Sequence, residues 1–513
     1  MEELPDELLV EILKHVTRWK SYLRQIMWRI RFVSRKWNRL VWRSVEDVRF
    51  AASPIPLLDD SELEPLRALK NPSDFPQKLF PRVEHGMELL MKNIERERVT
   101  RIEFFPFPKE SRVDVRGFVL ACLNVESLVL FDPVQKGKIT WNDLFELRKL
   151  KSYEGPLLFG NFDVSRLTHL SSLAITGPLL FSDDPNSKWG PVRRYFELFT
   201  NLTSLTIKAP VNVTDFVHLK SLSLQFETTD DAWANLANFK GTSLRELGVD
   251  IERITESGTP RSLLPWMKLL QKLEMRNECF LGEQLGELIE LRDLRLHQIN
   301  PALLSHVRPD HLQTLFVSCS RLVEVEWIEL LGRLKSLVDL EIQGRLLAPT
   351  FLDPVLRNLT RLKRLHLEDS GRGLRQGVKE IISPFFNLDK LSDLRDLSLL
   401  NYRIEEIRPG DLPTSLTRLS LSSLSDTDVL DQVYLTPLRK YTNLMSLSLS
   451  VLSRAKRRLS KSALLDLTNT LIKLESLELH LLWPLDNKVD EKFALLHLNQ
   501  IDSVEISPYP YNM

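Results

Sequence analysis

Charged and imidazole side chains occupy alternate positions in six short segments between residues 244 and 368. In these segments, 13 of the 18 residues at the third, fifth and seventh places are Asp, Glu, Lys, Arg or His. Guanidinium and imidazolium groups form charge-assisted hydrogen bonds with carboxylates and phosphates, so this spacing predicts a polar strip that binds an acidic or phosphorylated protein. The alternative is that the charges only keep an exposed sheet hydrated. The predicted target-binding residues are Arg276, Arg295, His297, Arg364 and His366.

Motifs that would carry out a reaction are absent from the sequence. It contains no G-x-x-x-x-G-K-[ST], H-E-x-x-H, C-x-x-C or G-x-S-x-G. The glycines at 371, 373 and 377 have one residue too many for a dinucleotide loop, and His306 and His311 lack a third ligand for a metal ion. We therefore expect no catalytic residues, no metal and no cofactor.

The charge balance of the 513 residues bears on the kind of partner. Lys and Arg number 69, and Asp and Glu also number 69, so the formal net charge is zero. Nucleic acids and anionic membranes favour basic proteins, so neither is an expected partner. Three cysteines are too few for a disulfide framework, and the first residues do not form a secretory signal. These features predict a cytoplasmic or nuclear protein without a membrane span.

The pattern L-x-x-L-x-L, with other apolar residues allowed at its apolar places, recurs through about four fifths of the chain. Its mean spacing is about 25 residues, within the range of ~20–29 that is typical of one strand-containing repeat class. The apolar residues two apart point to the same side of a strand, and the first apolar residue enters the same interior. The first residues of the 17 copies are Val99, Val125, Leu150, Leu170, Leu202, Leu219, Leu244, Leu270, Leu291, Leu312, Leu337, Leu362, Leu394, Leu416, Leu444, Leu474 and Ile501.

Segments with helical spacing of apolar residues lie between the predicted strands, as at 378–386 and 464–472. One strand and one helix cannot bury their apolar faces alone, whereas stacked copies can. The pattern resembles leucine-rich repeats of the irregular, longer-helix type. The resemblance implies an α/β fold, a solenoid with a parallel sheet on its concave side and helices on its outer side. A generic leucine-rich α/β domain is the alternative.

The first 45 residues differ from the repeats and predict three short amphipathic helices. Pro5 and the acidic residues after it suit the start of a helix, and an apolar stripe follows up to Val16. Two further apolar stripes include Ile26 and Val33. Helices of this length form a core too small to be stable alone, so the core either continues into the repeats or is covered by a partner.

Two stretches of this segment resemble the F-box family. Residues 4–13 read LPDELLVEIL and match the family's opening L-P-x-E-[LIV]-x-x-x-I-L, and residues 33–37 read VSRKW and match its closing V-[SC]-[RK]-x-W. The stretch between them is several residues longer than usual. An F-box followed by leucine-rich repeats is a known family architecture, and residues 42–50 resemble fungal members. The alternative is a helical motif that caps the solenoid.

The resemblance implies a substrate receptor of a Skp–cullin–F-box ubiquitin ligase, a subunit that is not itself an enzyme. In such a receptor the F-box binds the Skp adaptor, and through it cullin, while the repeats bind a target protein. A repeat scaffold without a role in degradation, in which the N-terminal helices only cap the solenoid, is the main alternative function, and a small-ligand co-receptor is a third. The F-box is expected at 1–45, a connector with a first strand, a Pro-rich loop and a helix at 46–98, and the repeats at 99–513. The adaptor-binding residues that the resemblance implies are Leu4, Pro5, Leu8, Ile12, Leu13, Ile26, Val33 and Trp37.

Overall fold

The structure, a computed structural model, describes the strands of the repeats and part of the chain that connects them. The predicted helices of residues 1–45, with all the implied adaptor-binding residues, lie outside the described residues, as do most of the connector and the predicted helix at 378–386. The described residues are 47–50, 96–104, 115–130, 139–156, 167, 169–175, 201–207, 213, 216–253, 264–276, 281–297, 301–319, 324–344, 355–369, 388–400, 407–408, 410–424, 435–451, 461–481 and 503–508.

Eighteen strands occur in the described part of the chain, and each pairs in parallel with a strand adjacent to it in the sequence. The chain divides into two compact units, the first ending at Glu256 and the second continuing from Ser257. In the first unit the pairing runs in order from β1 to β8. In the second it runs from β9 to β18. The strands are β1 Asp47–Phe50, β2 Arg101–Phe104, β3 Ser127–Leu130, β4 Ser152–Gly155, β5 Ser172–Ile175, β6 Ser204–Ile207, β7 Ser221–Thr228, β8 Glu246–Arg253, β9 Lys272–Arg276, β10 Asp293–His297, β11 Thr314–Cys319, β12 Asp339–Gly344, β13 Arg364–Asp369, β14 Asp396–Leu400, β15 Arg418–Leu424, β16 Ser446–Val451, β17 Ser476–Leu481 and β18 Ser503–Pro508.

Each of the 17 predicted copies of the repeat pattern contains the start of a strand. Strands β2 to β18 all begin two residues after the first apolar residue of a copy, from Val99 before β2 to Ile501 before β18. Even the degenerate copy at Leu150 forms β4, where Tyr153 occupies the place of a leucine and is fully buried. Its ring centroid lies 5.6 Å from that of Trp141. The predicted parallel sheet of stacked repeats is therefore confirmed in each unit.

Side chains alternate along the strands between a buried face and a partly exposed face. In β10, Leu294 and Leu296 are buried, whereas Asp293, Arg295 and His297 remain partly exposed. The first apolar residue of each repeat is buried as well, wherever its surroundings are described. Burial of a leucine side chain contributes roughly 1.5–3 kcal/mol. The repeated leucines therefore form the core, and the residues between them form the surface of the sheet.

A main-chain junction joins each repeat to the next just before the strand. The carbonyl oxygen of the residue after the first apolar one accepts two hydrogen bonds, from consecutive N–H groups of the following repeat. The carbonyl of Gln271, for example, accepts from the N–H groups of Arg292 and Asp293, both at 2.9 Å. The same arrangement links β2 through β8 and β9 through β17. This shared acceptor sets the register in which the parallel strands pair.

The described connections contain short α-helices and 3-10 helices. The α-helices are α1 Val115–Ala121, α2 Trp141–Glu146, α3 Thr229–Ala237, α4 Glu324–Arg333, α5 Thr436–Leu438 and α6 Lys461–Thr470. The 3-10 helices are Arg96–Arg98, Pro265–Leu269, Gly282–Glu287, Pro301–His306 and Leu388–Lys390. No described helix is long and apolar enough to cross a membrane.

The longer outer helices expected from the sequence form in only some of the described connections. Helix α6 lies where helical spacing predicted it, and α4 occupies a repeat of 25 residues. The repeats that begin at Leu270 and Leu291 have only 21 residues, and their connections contain 3-10 helices instead. The prediction that Ile472 belongs to an apolar helix face was wrong. This side chain is 69% exposed, because α6 ends before it and a turn follows.

Candidate functional site

Strands β9 to β13 bring the five predicted target-binding residues onto one face of the sheet in the second unit. Because neighbouring strands pair in register, Glu274 lies beside Arg295, and Glu341 lies beside His366. We name the charged and imidazole residues of this face the charged strip. The charged strip consists of Lys272, Glu274, Arg276, Asp293, Arg295, His297, Asp339, Glu341, Arg364, His366 and Glu368.

Two of the predicted residues converge on the carboxylate of Glu274. Nη2 of Arg276 donates a hydrogen bond to Oε1 of Glu274 at 3.1 Å, and Nε2 of His297 lies 3.4 Å from the same oxygen. The hydrogen bond from His297, with help from Arg276, lowers the pKa of Glu274 from 4.5 to about 2. Glu274 is therefore ionised at neutral pH, and its carboxylate engages both side chains.

Arg295 lies beside a carboxylate and next to an aromatic ring. Its Nε is 3.4 Å from Oδ1 of Asp293 on the same strand. On the neighbouring strand β11, Phe316 occupies the place in register with Arg295, yet it is only 8% exposed. The ring of His297 packs against it, with 4.6 Å between the centroids. The charge pattern does not predict this contact between two rings. The sequence signal for it is Phe316 itself, which occupies the fifth place of the Leu312 repeat.

Alternating charges occupy the first position of four neighbouring strands, β12 to β15. Asp339, Arg364, Asp396 and Arg418 lie in register. Arg364 forms an ion pair with Asp339, and Nη1 of Arg418 donates to Oδ2 of Asp396 at 3.2 Å. Burial raises the pKa of Asp339, and the charge of Arg364 opposes that rise. Facing charges of opposite sign stabilise a sheet by roughly 0.2–1 kcal/mol per pair, so this charge ladder also supports the register.

The last predicted residue, His366, has the same kind of neighbour. Its Nε2 lies 3.9 Å from Oε1 of Glu341, which accepts a hydrogen bond from Nε2 of Gln343 at 2.8 Å. The charged strip as a whole holds four Lys or Arg, five Asp or Glu and two His. Each predicted cation or imidazole thus lies beside a carboxylate of the strip. A partner that binds here has to exchange ion pairs with the strip, and it can do so most readily if it carries both signs of charge.

The same sheet presents uncharged hydroxyl groups further along the second unit. We name this group of residues on β15 to β17 the serine patch. On β16, the main chain alternates so that Ser446, Ser448 and Ser450 share the outward face. A β-bulge between Leu421 and Leu424 of β15 lies opposite Ser450. The serine patch consists of Ser420, Ser422, Ser446, Ser448, Ser450 and Ser476.

Five strands of the first unit begin with a small side chain, whereas β9, β10, β12 and β13 begin with a charged one. The first residue of each strand from β3 to β7 is serine, and the five serines lie in register. They are Ser127, Ser152, Ser172, Ser204 and Ser221. The charge pattern is therefore not a property of every repeat, although two of its predicted positions, Glu246 and Asp250, lie on β8 of the first unit.

Comparison with known proteins adds no family. No protein-family model matches this chain, and no curated protein matches it. Among the described residues, no group of three His, Cys, Asp or Glu side chains is arranged to hold a metal ion. The functional assignment therefore rests on the repeat sheet and on the sequence pattern that precedes it.

Proposed function

We propose that this chain is the substrate-recognition subunit of a Skp–cullin–F-box ubiquitin ligase and performs no chemistry itself. Residues 1–45 bind the Skp adaptor, and the repeat sheet binds the target protein. The observation that supports this proposal is a stack of parallel repeats with a polar face, in a chain whose first residues match both ends of the F-box pattern. Stacked repeats offer an extended and rigid surface for protein binding.

Binding to the adaptor tests the first half of the proposal. We expect the full chain to bind a purified Skp adaptor in a pull-down, and the double variant Leu4→Ala/Pro5→Ala to bind more weakly. Removal of residues 1–45 should abolish binding. Arg418→Glu, a surface variant within the repeats, is the matched control and should bind normally. Undiminished binding after removal of residues 1–45 would contradict the proposal and favour the repeat scaffold.

Target capture tests the second half, with the charged strip as the proposed recognition surface. Proteins that accumulate when the chain is deleted, and that bind the purified chain, serve as targets. A charge-assisted hydrogen bond contributes roughly 1.5–3 kcal/mol, so the loss of one weakens binding about tenfold or more. We expect Arg295→Glu/Arg364→Glu to abolish capture of such a target while adaptor binding persists.

The charge ladder supplies a closely matched control for this experiment. Arg418 forms an ion pair with Asp396, as Arg364 does with Asp339, but it lies outside the charged strip. Arg418→Glu therefore disturbs the sheet in a similar way and should leave target capture unchanged. Equal losses for the two variants would mean that capture depends on the integrity of the sheet. Crosslinks from the target that fall only outside residues 244–368 would also count against the strip.

A further inference from the structure

The segments that precede three neighbouring strands of the second unit carry an excess of positive charge. They are residues 333–338 before β12, 357–363 before β13 and 389–395 before β14, and together they contain seven Lys or Arg against two Asp. The whole chain has a net charge of zero, so this excess is local. The segment before β15, residues 411–417, has no Lys or Arg, and the segment before β10, residues 286–292, has two Glu and one Arg.

The main-chain junction between repeats places these segments side by side. The carbonyl oxygen of Val338 accepts a hydrogen bond from the N–H group of Lys363 at 2.8 Å, and the carbonyl oxygen of Lys363 accepts one from the N–H group of Arg395 at 2.9 Å. Because all the strands are parallel, the segments before them line the same edge of the sheet. Three strands at a spacing of about 4.8 Å cover about 10 Å. We name six basic residues of these segments the basic edge: Arg333, Lys335, Arg361, Lys363, Lys390 and Arg395.

The side chains of the basic edge are exposed and have no described carboxylate as a partner. All six residues are exposed, and none of them forms an ion pair or a side-chain hydrogen bond with a described residue. Even Asp389 and Asp393, which belong to the same segments, form no ion pair with them. The charged strip differs in this respect, since Arg364 is paired there with Asp339. A partner can therefore bind the basic edge without displacing an existing ion pair of the sheet.

The residue types of the three segments restrict what could bind there. Guanidinium and ammonium groups form charge-assisted hydrogen bonds with carboxylates. The segments contain no aromatic residue on which a nucleic-acid base could stack, and their leucines are buried, so no leucine is available to enter a membrane. An extended peptide covers about 10 Å with three to four residues. We propose that the basic edge binds an acidic segment of a protein partner, an extended stretch rich in Asp and Glu.

This inference goes beyond the proposed function in the residues that it involves. The charged strip lies on the strands themselves, whereas the basic edge lies in the segments before them. Binding of an acidic segment at the basic edge also does not depend on residues 1–45 or on an adaptor.

A synthetic peptide with a run of glutamates and a fluorescein label is the probe, and fluorescence anisotropy measures its affinity for the full-length chain. We expect the peptide to bind at low ionic strength and to bind more weakly as salt is added, because salt screens exposed charges. The double variant Lys363→Glu/Arg395→Glu should bind the peptide about tenfold or more weakly, because it loses charge-assisted hydrogen bonds and repels the glutamates.

The matched control reverses two charges outside the basic edge. Lys220 and Arg292 occupy the same place of the repeat as Lys363 and Arg395, and their carbonyl oxygens likewise accept two hydrogen bonds from the following repeat. Lys220→Glu/Arg292→Glu changes the net charge by the same amount and should leave the affinity for the peptide unchanged. Thermal unfolding of both double variants checks that they are folded.

Four outcomes would overturn the inference. The first is that the peptide does not bind at low ionic strength. The second is that both double variants lose affinity equally, which would make binding a response to overall charge. The third is that Arg276→Glu weakens binding and the basic-edge variant does not, which would place the peptide on the charged strip. The fourth is that single-stranded DNA binds more tightly than the peptide and is lost in the basic-edge variant, which would assign the basic edge to nucleic acid. Adaptor binding in the pull-down involves none of these residues, so the proposed function is tested separately.

Discussion

The charged strip and the serine patch are parts of one sheet with the same backbone and different side chains on its outward face. In the charged strip, side chains pair with one another, as Arg276 and His297 do with Glu274. In the serine patch, the side chains carry hydroxyl groups instead, and Oγ of Ser450 is buried without a hydrogen-bond partner among the described residues, as is Nε of Arg295 in the charged strip. Polarity alone therefore does not identify a binding surface.

The largest expected effect tests whether the two regions share one kind of core. Leu294 beneath the charged strip and Leu447 beneath the serine patch are both fully buried. We expect Leu294→Ala and Leu447→Ala each to lower the free energy of unfolding by about 2–5 kcal/mol, measured by urea denaturation. Ser448→Ala, on the opposite face of β16, should change it by less than about 0.5 kcal/mol. If either leucine variant lowered the free energy of unfolding by less than about 1 kcal/mol, the cores beneath the two regions would differ in how tightly they are packed.

A smaller effect is expected for Glu274 of the charged strip, whose contribution to the free energy of unfolding depends on pH. The pKa of Glu274 is lowered from 4.5 to about 2 in the folded chain, so the folded state favours the ionised carboxylate. The stability that results is present above pH 4.5 and is lost as the pH falls towards 2. We expect Glu274→Gln to lower the free energy of unfolding by about 1–3 kcal/mol at pH 6 and to have little effect near pH 2.

The control for this pH series is a variant of the serine patch. Ser448→Ala removes a side chain that does not titrate, so its effect on the free energy of unfolding should be the same at pH 6 and at pH 2. Urea denaturation at a series of pH values compares the two variants. If Glu274→Gln shifted stability equally at both ends of the range, the contacts with His297 and Arg276 would not stabilise the carboxylate.

The smallest expected effect concerns the charge ladder, where both partners are partly exposed. The side chain of Arg364 is 59% exposed and that of Asp339 is 22% exposed, so water screens their attraction. A double-mutant cycle with Asp339→Ala and Arg364→Ala should give a coupling energy of about 0.2–1 kcal/mol. The same cycle at Asp396 and Arg418 should give a similar value. A coupling energy near zero at both pairs would mean that the ion pairs do not help to set the register, and that main-chain hydrogen bonds set it alone.

The sequence predicted the strands closely because one local rule governs them. A leucine followed by an L-x-L pair has only one way to bury all three side chains against the preceding repeat, so the start of each strand follows from it. The same alternation predicted that the five candidate residues share a face. Their ion pairs could not be predicted in this way. Arg364 lies in register between Asp339 and Asp396, and only the full set of neighbours determines which carboxylate it approaches.

Other features depend on the length of the connections rather than on the strand pattern. The 3-10 helices after β9 and β10 form where 21 residues have to complete a repeat, and the spacing of apolar residues does not report that limit. The bulge beside Ser450 is similarly invisible in the sequence, because Ser422 and Ser423 fit a continuing strand as well as a bulge. The implied adaptor-binding residues lie outside the described residues and remain predictions.

The shared-acceptor junction between repeats uses main-chain atoms only, and this has a consequence for how the chain can change in length. Excision of residues 313–337 would join Leu312 to Val338 and place the L-x-L pair of β12 directly after Leu312. The carbonyl of Arg292 could then accept from the N–H groups of Val338 and Asp339, as it now accepts from those of Gln313 and Thr314. A whole copy can thus be lost or duplicated without altering the frame of the copies beyond it. Tandem duplication is therefore a simple route to a chain with 17 repeats of unequal length.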